Sequence, residues 1–158
     1  MTKRPEKGEN APSITLPTGD ETNVSLNHPR GKGHILFFYP KDNTKGCTTE
    51  AKDFSALKAQ FLELGYDIFG ISKDSLRSHQ NFINKQELTV ELASDDDGEA
   101  CEAFGVWVEK QMYGKTYMGI ERSTFIVEAD GSISAIWRKV KVKGHAQTVL
   151  DHISQTTA

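Results

Sequence analysis

One cysteine lies where a polar loop is predicted to enter a helix. Cys47 follows Gly46, and three polar residues come after it, Thr48, Thr49 and Glu50. The N-terminus of a helix presents unpaired N–H groups and the positive end of the helix dipole. Both stabilise a thiolate over a thiol, and the thiolate is the nucleophilic form of cysteine. Cys47 is therefore the candidate nucleophile, because so polar a segment is a poor place for a packing residue.

Hydroperoxide reduction is a chemistry that such a cysteine can perform. A thiolate that attacks an O–O bond becomes a sulfenic acid, the reversible first step of cysteine oxidation. The displacement needs donors that hold both oxygens and stabilise the leaving oxygen. The candidate donors are the backbone N–H groups of Gly46 and Cys47 and the hydroxyl of Thr44. Pro40 is expected to fix the loop and to shield the site from water.

The residues around Cys47 resemble the active-site signature of the peroxiredoxins. That signature is P-x-x-x-T-x-x-C, and Pro40, Thr44 and Cys47 fill it without gaps. The longer string F-Y-P-K-D-N-T-x-G-C-T-T-E is similar to the subfamily called bacterioferritin comigratory protein, or PrxQ. A second block, between Phe104 and Phe125, agrees with the same subfamily, and the resemblance covers effectively the whole chain.

The resemblance implies a thiol-dependent peroxidase that reduces hydrogen peroxide and organic hydroperoxides and requires no cofactor. It also implies that Arg122 is the second catalytic residue, with its guanidinium close to the Cys47 sulfur. A permanently charged fork can stabilise a thiolate and hold a peroxide oxygen. Glu50 either anchors this arginine or only lies favourably at the helix start. Without the motif, a surface salt bridge to Glu121 is the ordinary role for Arg122.

Two features depart from the subfamily pattern. Many PrxQ-like chains carry a resolving cysteine five residues after the peroxidatic one, where this chain has Lys52. Others carry it near Ile83 or Asn84, and neither is cysteine here. Lys45 replaces a usual proline, which relaxes the loop and adds a positive charge.

The second cysteine, Cys101, leaves several reaction cycles open. A buried packing residue on a short helix is its expected role, since free cysteine is often buried. A disulfide would need Cα atoms within about 7 Å. We therefore expect a one-cysteine cycle in which thioredoxin, glutaredoxin with glutathione, or another thiol reduces the Cys47 sulfenic acid. The alternatives are a two-cysteine cycle with Cys101 resolving, or a thiol–disulfide exchange or binding protein on the same fold.

Composition indicates one globular domain over residues 1–158. Charged residues make up 26% and the formal net charge is -3, so neither a nucleic acid nor a membrane is the expected partner. No apolar run approaches the roughly 20 residues of a membrane span. The polar start, residues 1–12, lacks a signal-peptide core, which predicts a cytoplasmic location. Two cysteines and five scattered histidines predict no metal site, and the subfamily resemblance predicts a monomer.

Apolar patterning predicts an α/β protein in which a buried strand delivers the loop that carries Cys47. The order of elements matches a thioredoxin-like fold, with a mixed central sheet flanked by helices and an added N-terminal β-hairpin. The predicted strands span residues 14–16, 23–26, 34–39, 66–72, 90–93, 123–127 and 134–140. The predicted helices span residues 48–64, 75–85, a short stretch around 101–104, and 145–154. The first hairpin turns through Thr18, Gly19 and Asp20, and the basic run 137–143 is interpreted as a strand with a solvated face.

Overall fold

The computed structural model describes residues 4–19 and 21–157. Its elements in chain order are β1 (Thr15–Pro17), β2 (Asn23–Ser25), β3 (Gly33–Phe38), α1 (Lys45–Glu63), β4 (Tyr66–Ser72), α2 (Leu76–Gln86), β5 (Glu91–Ser94), α3 (Glu99–Ala103), β6 (Trp107–Met112), β7 (Lys115–Ile120), β8 (Ser123–Glu128), β9 (Ile133–Trp137) and α4 (His145–Thr157). No helix among the described residues has both the length and the apolar character needed to cross a membrane.

The central sheet is mixed, as predicted. Its five strands run in the order β5-β4-β3-β8-β9, with β3, β4 and β5 parallel and β8 antiparallel to β3. Every residue of β3 is buried, which is what its continuous apolar sequence predicts for a central strand covered on both faces. Together with the flanking helices and the β1–β2 hairpin, this sheet confirms the thioredoxin-like fold.

Two separate apolar cores cover the two faces of this sheet. Alternate residues of β3 point to opposite faces, so Ile35 and Phe37 join one core while Leu36 and Phe38 join the other. The first core contains buried residues of α1, α2 and α4, including Cys47. The second contains residues of the β1–β2 hairpin and of α3, including Cys101. The two cysteines therefore lie in cores on opposite sides of the sheet.

The helix that carries Cys47 begins earlier than predicted. Thr44 is its N-cap, with an extended backbone (φ -85°, ψ 156°), and α1 starts at Lys45. Cys47 is therefore the third helical residue instead of the residue before the helix. The N-cap of α2 is Ser75, whose side chain accepts a hydrogen bond from the Ser78 N–H.

A second exposed hairpin, β6–β7, was not predicted from the sequence. Its strands pair antiparallel from Trp107 with Ile120 to Met112 with Lys115. The two turn residues, Tyr113 and Gly114, both have positive φ, as a two-residue hairpin turn requires. Tyrosine is an uncommon first residue for such a turn, and the mostly exposed strands do not show the regular alternation of a half-buried strand.

The predicted strand over residues 137–143 is wrong, and the strand predicted over 134–140 stops early. Only Trp137 of the basic run belongs to β9, and Lys139 adopts a left-handed backbone with φ 51°. Arg138 folds back, and its guanidinium donates to the carbonyl of Phe104. The alternation of charge therefore reflects a loop with one half-buried arginine. In the first hairpin, Asp20 lies outside the described residues.

Candidate active site

Cys47 is buried in the first turn of α1, with 1% of its surface exposed. The first backbone hydrogen bond of this turn runs from the Thr48 N–H to the Thr44 carbonyl, at 2.8 Å. The N–H groups of Gly46 and Cys47 precede that bond and so have no acceptor within the helix. The expected pair of backbone donors therefore lies beside the sulfur, at the positive end of the helix dipole.

The structure brings Arg122 to the cysteine, as the motif implies. Arg122 directly precedes β8, and Ser123 pairs with Phe38 at the end of β3. This register sets the arginine beside the start of α1. Its Nη2 lies 3.3 Å from the Cys47 Sγ. The surface pairing with Glu121 does not occur, because Glu121 instead pairs with Arg4 at 2.9 Å.

Glu50 anchors the guanidinium from the next turn of α1. Its Oε1 accepts from the Arg122 Nη1 at 2.7 Å, and its Oε2 has no hydrogen-bond partner among the described residues. Burial raises the pKa of Glu50 to about 7, against the opposing effect of the nearby Arg122 charge. Burial alone would lower the pKa of Arg122, but Glu50 and Cys47 hold it above its ordinary value. The guanidinium is therefore a fixed positive charge that two acidic groups share.

Gly46 provides the space that this close approach needs. A Cβ added at Gly46 would lie 3.3 Å from Nη2 of Arg122 and 4.0 Å from the Cγ2 of Val142. The first distance is tighter than an ordinary van der Waals contact, so a side chain here would press on the guanidinium. Lys45, the residue that replaces proline, is the exposed first residue of the helix.

Thr44 and Pro40 lie on the outer side of the site. Both are exposed, and the Thr44 hydroxyl donates to the carbonyl of Lys41 at 2.9 Å. The hydroxyl proton of Thr44 is therefore donated within the loop and not toward the sulfur. Pro40 forms one wall of an open groove of about 420 Å³ that also contains Trp107, Tyr117 and other residues of the β6–β7 hairpin.

Lys110 is a polar residue of this groove that the sequence did not single out. It is half-buried on β6. Burial and the charge of Arg122 lower the pKa of Lys110, while the negative charge of Cys47 opposes this shift. Lys110 thus adds positive charge near the sulfur. In the sequence, Lys110 is marked only by its place in the second motif block, between Phe104 and Phe125. The strands that carry it were not predicted.

Cys101 is fully buried on α3, in the core on the other side of the sheet. Its backbone N–H donates to Asp95 Oδ2 at 2.8 Å. Burial and the neighbouring carboxylate of Asp95 raise the pKa of the Cys101 thiol. The packing role expected for Cys101 agrees with this environment, and a reactive thiolate does not.

A thioredoxin-like sheet that holds a cysteine at the start of a helix, against an arginine, is the arrangement of a thiol-based oxidoreductase. Residues 7–136 match the model of the AhpC/TSA family. The chain belongs to this family and, within it, to the Bcp peroxiredoxins, which makes it a thiol-dependent peroxidase. Such an enzyme takes a hydroperoxide as substrate and a thiol as reductant.

Individual relatives agree along nearly the full chain. Peroxiredoxin Bcp of Xanthomonas campestris is 50% identical over 137 residues, which cover 87% of this chain and 86% of the relative. A structure of the Xanthomonas campestris bacterioferritin comigratory protein, described in terms of its alkyl peroxide reduction activity, is 43% identical with a TM-score of 0.83 and covers 92% of both chains. The structure of Xylella fastidiosa PrxQ is 36% identical, with a TM-score of 0.88 and 99% of both chains covered.

Proposed function

We propose that this peroxidase uses Cys47 as its nucleophile and that an external thiol regenerates it, in a one-cysteine cycle. The observation that carries the proposal is the 3.3 Å contact between the Arg122 guanidinium and the Cys47 sulfur at the first turn of a helix. A permanent positive charge contacts one buried sulfur, and two backbone N–H groups without an acceptor in the helix lie in the same helical turn. This is the environment that stabilises a thiolate.

In the first step, the Cys47 thiolate attacks one oxygen of the hydroperoxide. An S–O bond forms, the O–O bond breaks, and the leaving oxygen takes a proton and departs as an alcohol or as water. The sulfur is oxidised to a sulfenic acid and the peroxide is reduced. Arg122 and the N–H groups of Gly46 and Cys47 stabilise the negative charge that moves onto the oxygens.

Two external thiols complete the cycle. The first attacks the sulfenic acid, so that a mixed disulfide forms and water leaves. The second thiol attacks the mixed disulfide, which releases an external disulfide and restores Cys47. The burial of Cys101 in the core across the sheet supports this cycle, because a disulfide between the two cysteines would require that part of the fold to open. Thioredoxin, glutaredoxin with glutathione, or another small thiol can act as the reductant.

The proposed substrates are hydrogen peroxide and organic hydroperoxides. The groove beside Pro40 supports the organic class, since the side chains of Trp107, Tyr117 and Ile120 give it apolar walls. The alkyl peroxide reduction activity described for the Xanthomonas campestris relative supports the same assignment. Action as a monomer in the cytoplasm is part of the proposal, and it rests on the subfamily resemblance.

Peroxide consumption with dithiothreitol as reductant tests the assignment of the nucleophile. The parent protein and the Cys101→Ser variant should consume peroxide at similar rates, and Cys47→Ser should lose the protein-dependent rate. Equal rates in the parent and in Cys47→Ser would refute Cys47 as the nucleophile. Cys101→Ser is the matched control, because it makes the same substitution at the other cysteine of the chain.

A further inference from the structure

The loop between β3 and α1, residues 39–44, is fastened at its centre by Asp42. This side chain is buried, although the residues on either side of it are exposed. The backbone N–H of Asp42 donates to Oδ2 of Asp74 at 2.9 Å. Four residues separate Asp42 from Cys47, so the loop that Asp42 fixes leads directly into the first turn of α1.

The carboxylate of Asp42 receives three donors. Oδ1 accepts from the Tyr39 hydroxyl at 2.6 Å, and Oδ2 accepts from Ser78 Oγ and from His79 Nδ1, each at 2.8 Å. Burial would raise the pKa of Asp42, but the hydrogen bonds from His79, Tyr39 and Ser78 outweigh it and hold the pKa below its usual range. Asp42 is therefore an ionised carboxylate inside the protein.

His79 has a polar contact at each of its two ring nitrogens. Nδ1 lies 2.8 Å from Oδ2 of Asp42, and Nε2 lies 3.0 Å from the carbonyl oxygen of Ala93 on β5. The Tyr39 hydroxyl, which donates to Asp42, also lies 3.3 Å from Nδ1. The contact between Asp42 and His79 is enclosed by the protein, since the side chain of each is 2% exposed.

We propose that the buried hydrogen-bonded contact between Asp42 and His79 positions the Cys47 loop for peroxide attack, by fixing the approach to α1 against α2 and β5. The inference rests on the proposed role of Cys47 as nucleophile. Neither residue contacts the sulfur, and both act through the backbone of the loop. The contact between Cys47 and Arg122 persists only while the first turn of α1 keeps its place. Tyr39 and Asp42 are the buried residues of the loop, and Asp42 is the one nearer to α1.

Three variants separate positioning from stability. Asp42→Ala removes the acceptor of three hydrogen bonds and leaves the buried His79 Nδ1 without its carboxylate partner. Asp42→Asn keeps the shape of the side chain and can keep a hydrogen bond to His79. The double variant Asp42→Ala/His79→Ala also removes the buried polar group that Asp42→Ala leaves behind, so it regains stability relative to Asp42→Ala without regaining the tether.

His34→Gln is the matched control. His34 is also a buried histidine that contacts a backbone carbonyl, that of Leu26, at 3.0 Å. It pairs edge-on with Phe69 of the core on the other side of the sheet, away from the Cys47 core. A loss of packing alone should therefore cost His34→Gln stability without slowing the reaction with peroxide.

The measurement is the second-order rate constant for peroxide oxidation, followed by stopped-flow tryptophan fluorescence, together with the rate of Cys47 alkylation by iodoacetamide. We expect Asp42→Ala and the double variant to react with peroxide about tenfold to hundredfold more slowly, because a displacement of about 1 Å has effects of this size. Asp42→Asn should stay within about threefold of the parent. The rate of Cys47 alkylation should change in the same variants. This rate reports on the position of the loop and does not depend on whether the parent reduces peroxide.

Peroxide and alkylation rates for the double variant that match the parent, or that fall no further than in His34→Gln, would overturn the positioning role.

Discussion

At the scale of single residues, two acidic groups compete for one guanidinium. Arg122 contacts Cys47 through Nη2 and Glu50 through Nη1. Glu50 fixes the orientation of the arginine, but its negative charge also offsets the charge that the thiolate needs. The raised pKa of Glu50, about 7, reduces this conflict, because the carboxyl is partly neutral near neutral pH. Glu50 can therefore hold the guanidinium of Arg122 in place while it neutralises only part of the positive charge.

Replacement of Arg122 by Met tests the contribution of that charge. Arg122→Met should slow peroxide oxidation by about a hundredfold or more, since one charged donor to the transition state is lost. Stopped-flow tryptophan fluorescence measures this rate. Arg138→Met, at a half-buried arginine that packs over Phe125, is the control for a general loss of packing. A rate in Arg122→Met within threefold of the parent would contradict the assigned role.

Glu50 should make stability depend on pH. Its pKa in the folded protein, about 7, lies above the ordinary 4.5. Between these two values the folded state binds more protons than the unfolded state, so the free energy of unfolding falls as pH rises through this window. Relative to Glu50→Gln, the free energy of unfolding of the parent should therefore fall by up to about 3 kcal/mol from pH 4.5 to pH 7.5.

Urea unfolding of both proteins at several pH values measures this difference. The comparison with Glu50→Gln is necessary because His145 acts with the opposite sign. Burial lowers the pKa of His145 to about 4, so its contribution to stability increases with pH between that value and 6.5. Parallel profiles for the parent and Glu50→Gln would show that the pKa of Glu50 is not raised.

At the scale of the elements, the central sheet separates the two cysteines. α1 places Cys47 in one core, and α3 places Cys101 in the other. Five strands of backbone hydrogen bonds lie between the cores, so a disulfide would need one helix to unfold and pass the edge of the sheet. The division of residues between two faces of one sheet thus favours an external reductant.

Cys101→Ser should leave turnover supported by dithiothreitol nearly unchanged. The Cys101 thiol is buried and its pKa is raised, so it supplies little thiolate. Circular dichroism confirms that the variant is folded, since a serine hydroxyl in this core costs some stability. A collapse of turnover in a folded Cys101→Ser variant would instead identify Cys101 as the resolving cysteine.

The elements also show which features the sequence can predict. β3 was predicted because it is a continuous apolar run. The β6–β7 hairpin was missed because its strands are largely exposed and carry no regular apolar alternation. The basic run 137–143 was wrongly predicted as a strand because its charged and apolar residues alternate. Arg138 is half-buried through hydrogen bonds to the carbonyls of Gly105 and Phe104, and such distant contacts cannot be predicted from local sequence.

For the site, the motif located the cysteine, the arginine and the glutamate that the fold brings together. It did not assign a role to Asp42, although that residue lies within the quoted string. The partner of Asp42 is His79, 37 residues away, and the two meet only because β3 and β4 are parallel neighbours. Long-range pairs of this kind follow from topology, not from local spacing.

At the scale of the whole molecule, the one-cysteine cycle predicts the state of the protein after oxidation. With one equivalent of peroxide and no reductant, the chain should run as a monomer in non-reducing electrophoresis. The Cys101 thiol of a second copy is itself fully buried, so it is not presented to the Cys47 sulfenic acid. A disulfide-linked dimer would show that a second chain resolves the sulfenic acid.

Mass spectrometry of both cysteine-containing peptides, after limiting peroxide and trapping with dimedone, tests the central claim most directly. The expected result is a dimedone adduct on Cys47, with Cys101 recovered as a free thiol. A dimedone adduct on Cys101 with Cys47 still reduced would contradict the assignment of the nucleophile, and a disulfide between the two would contradict the one-cysteine cycle.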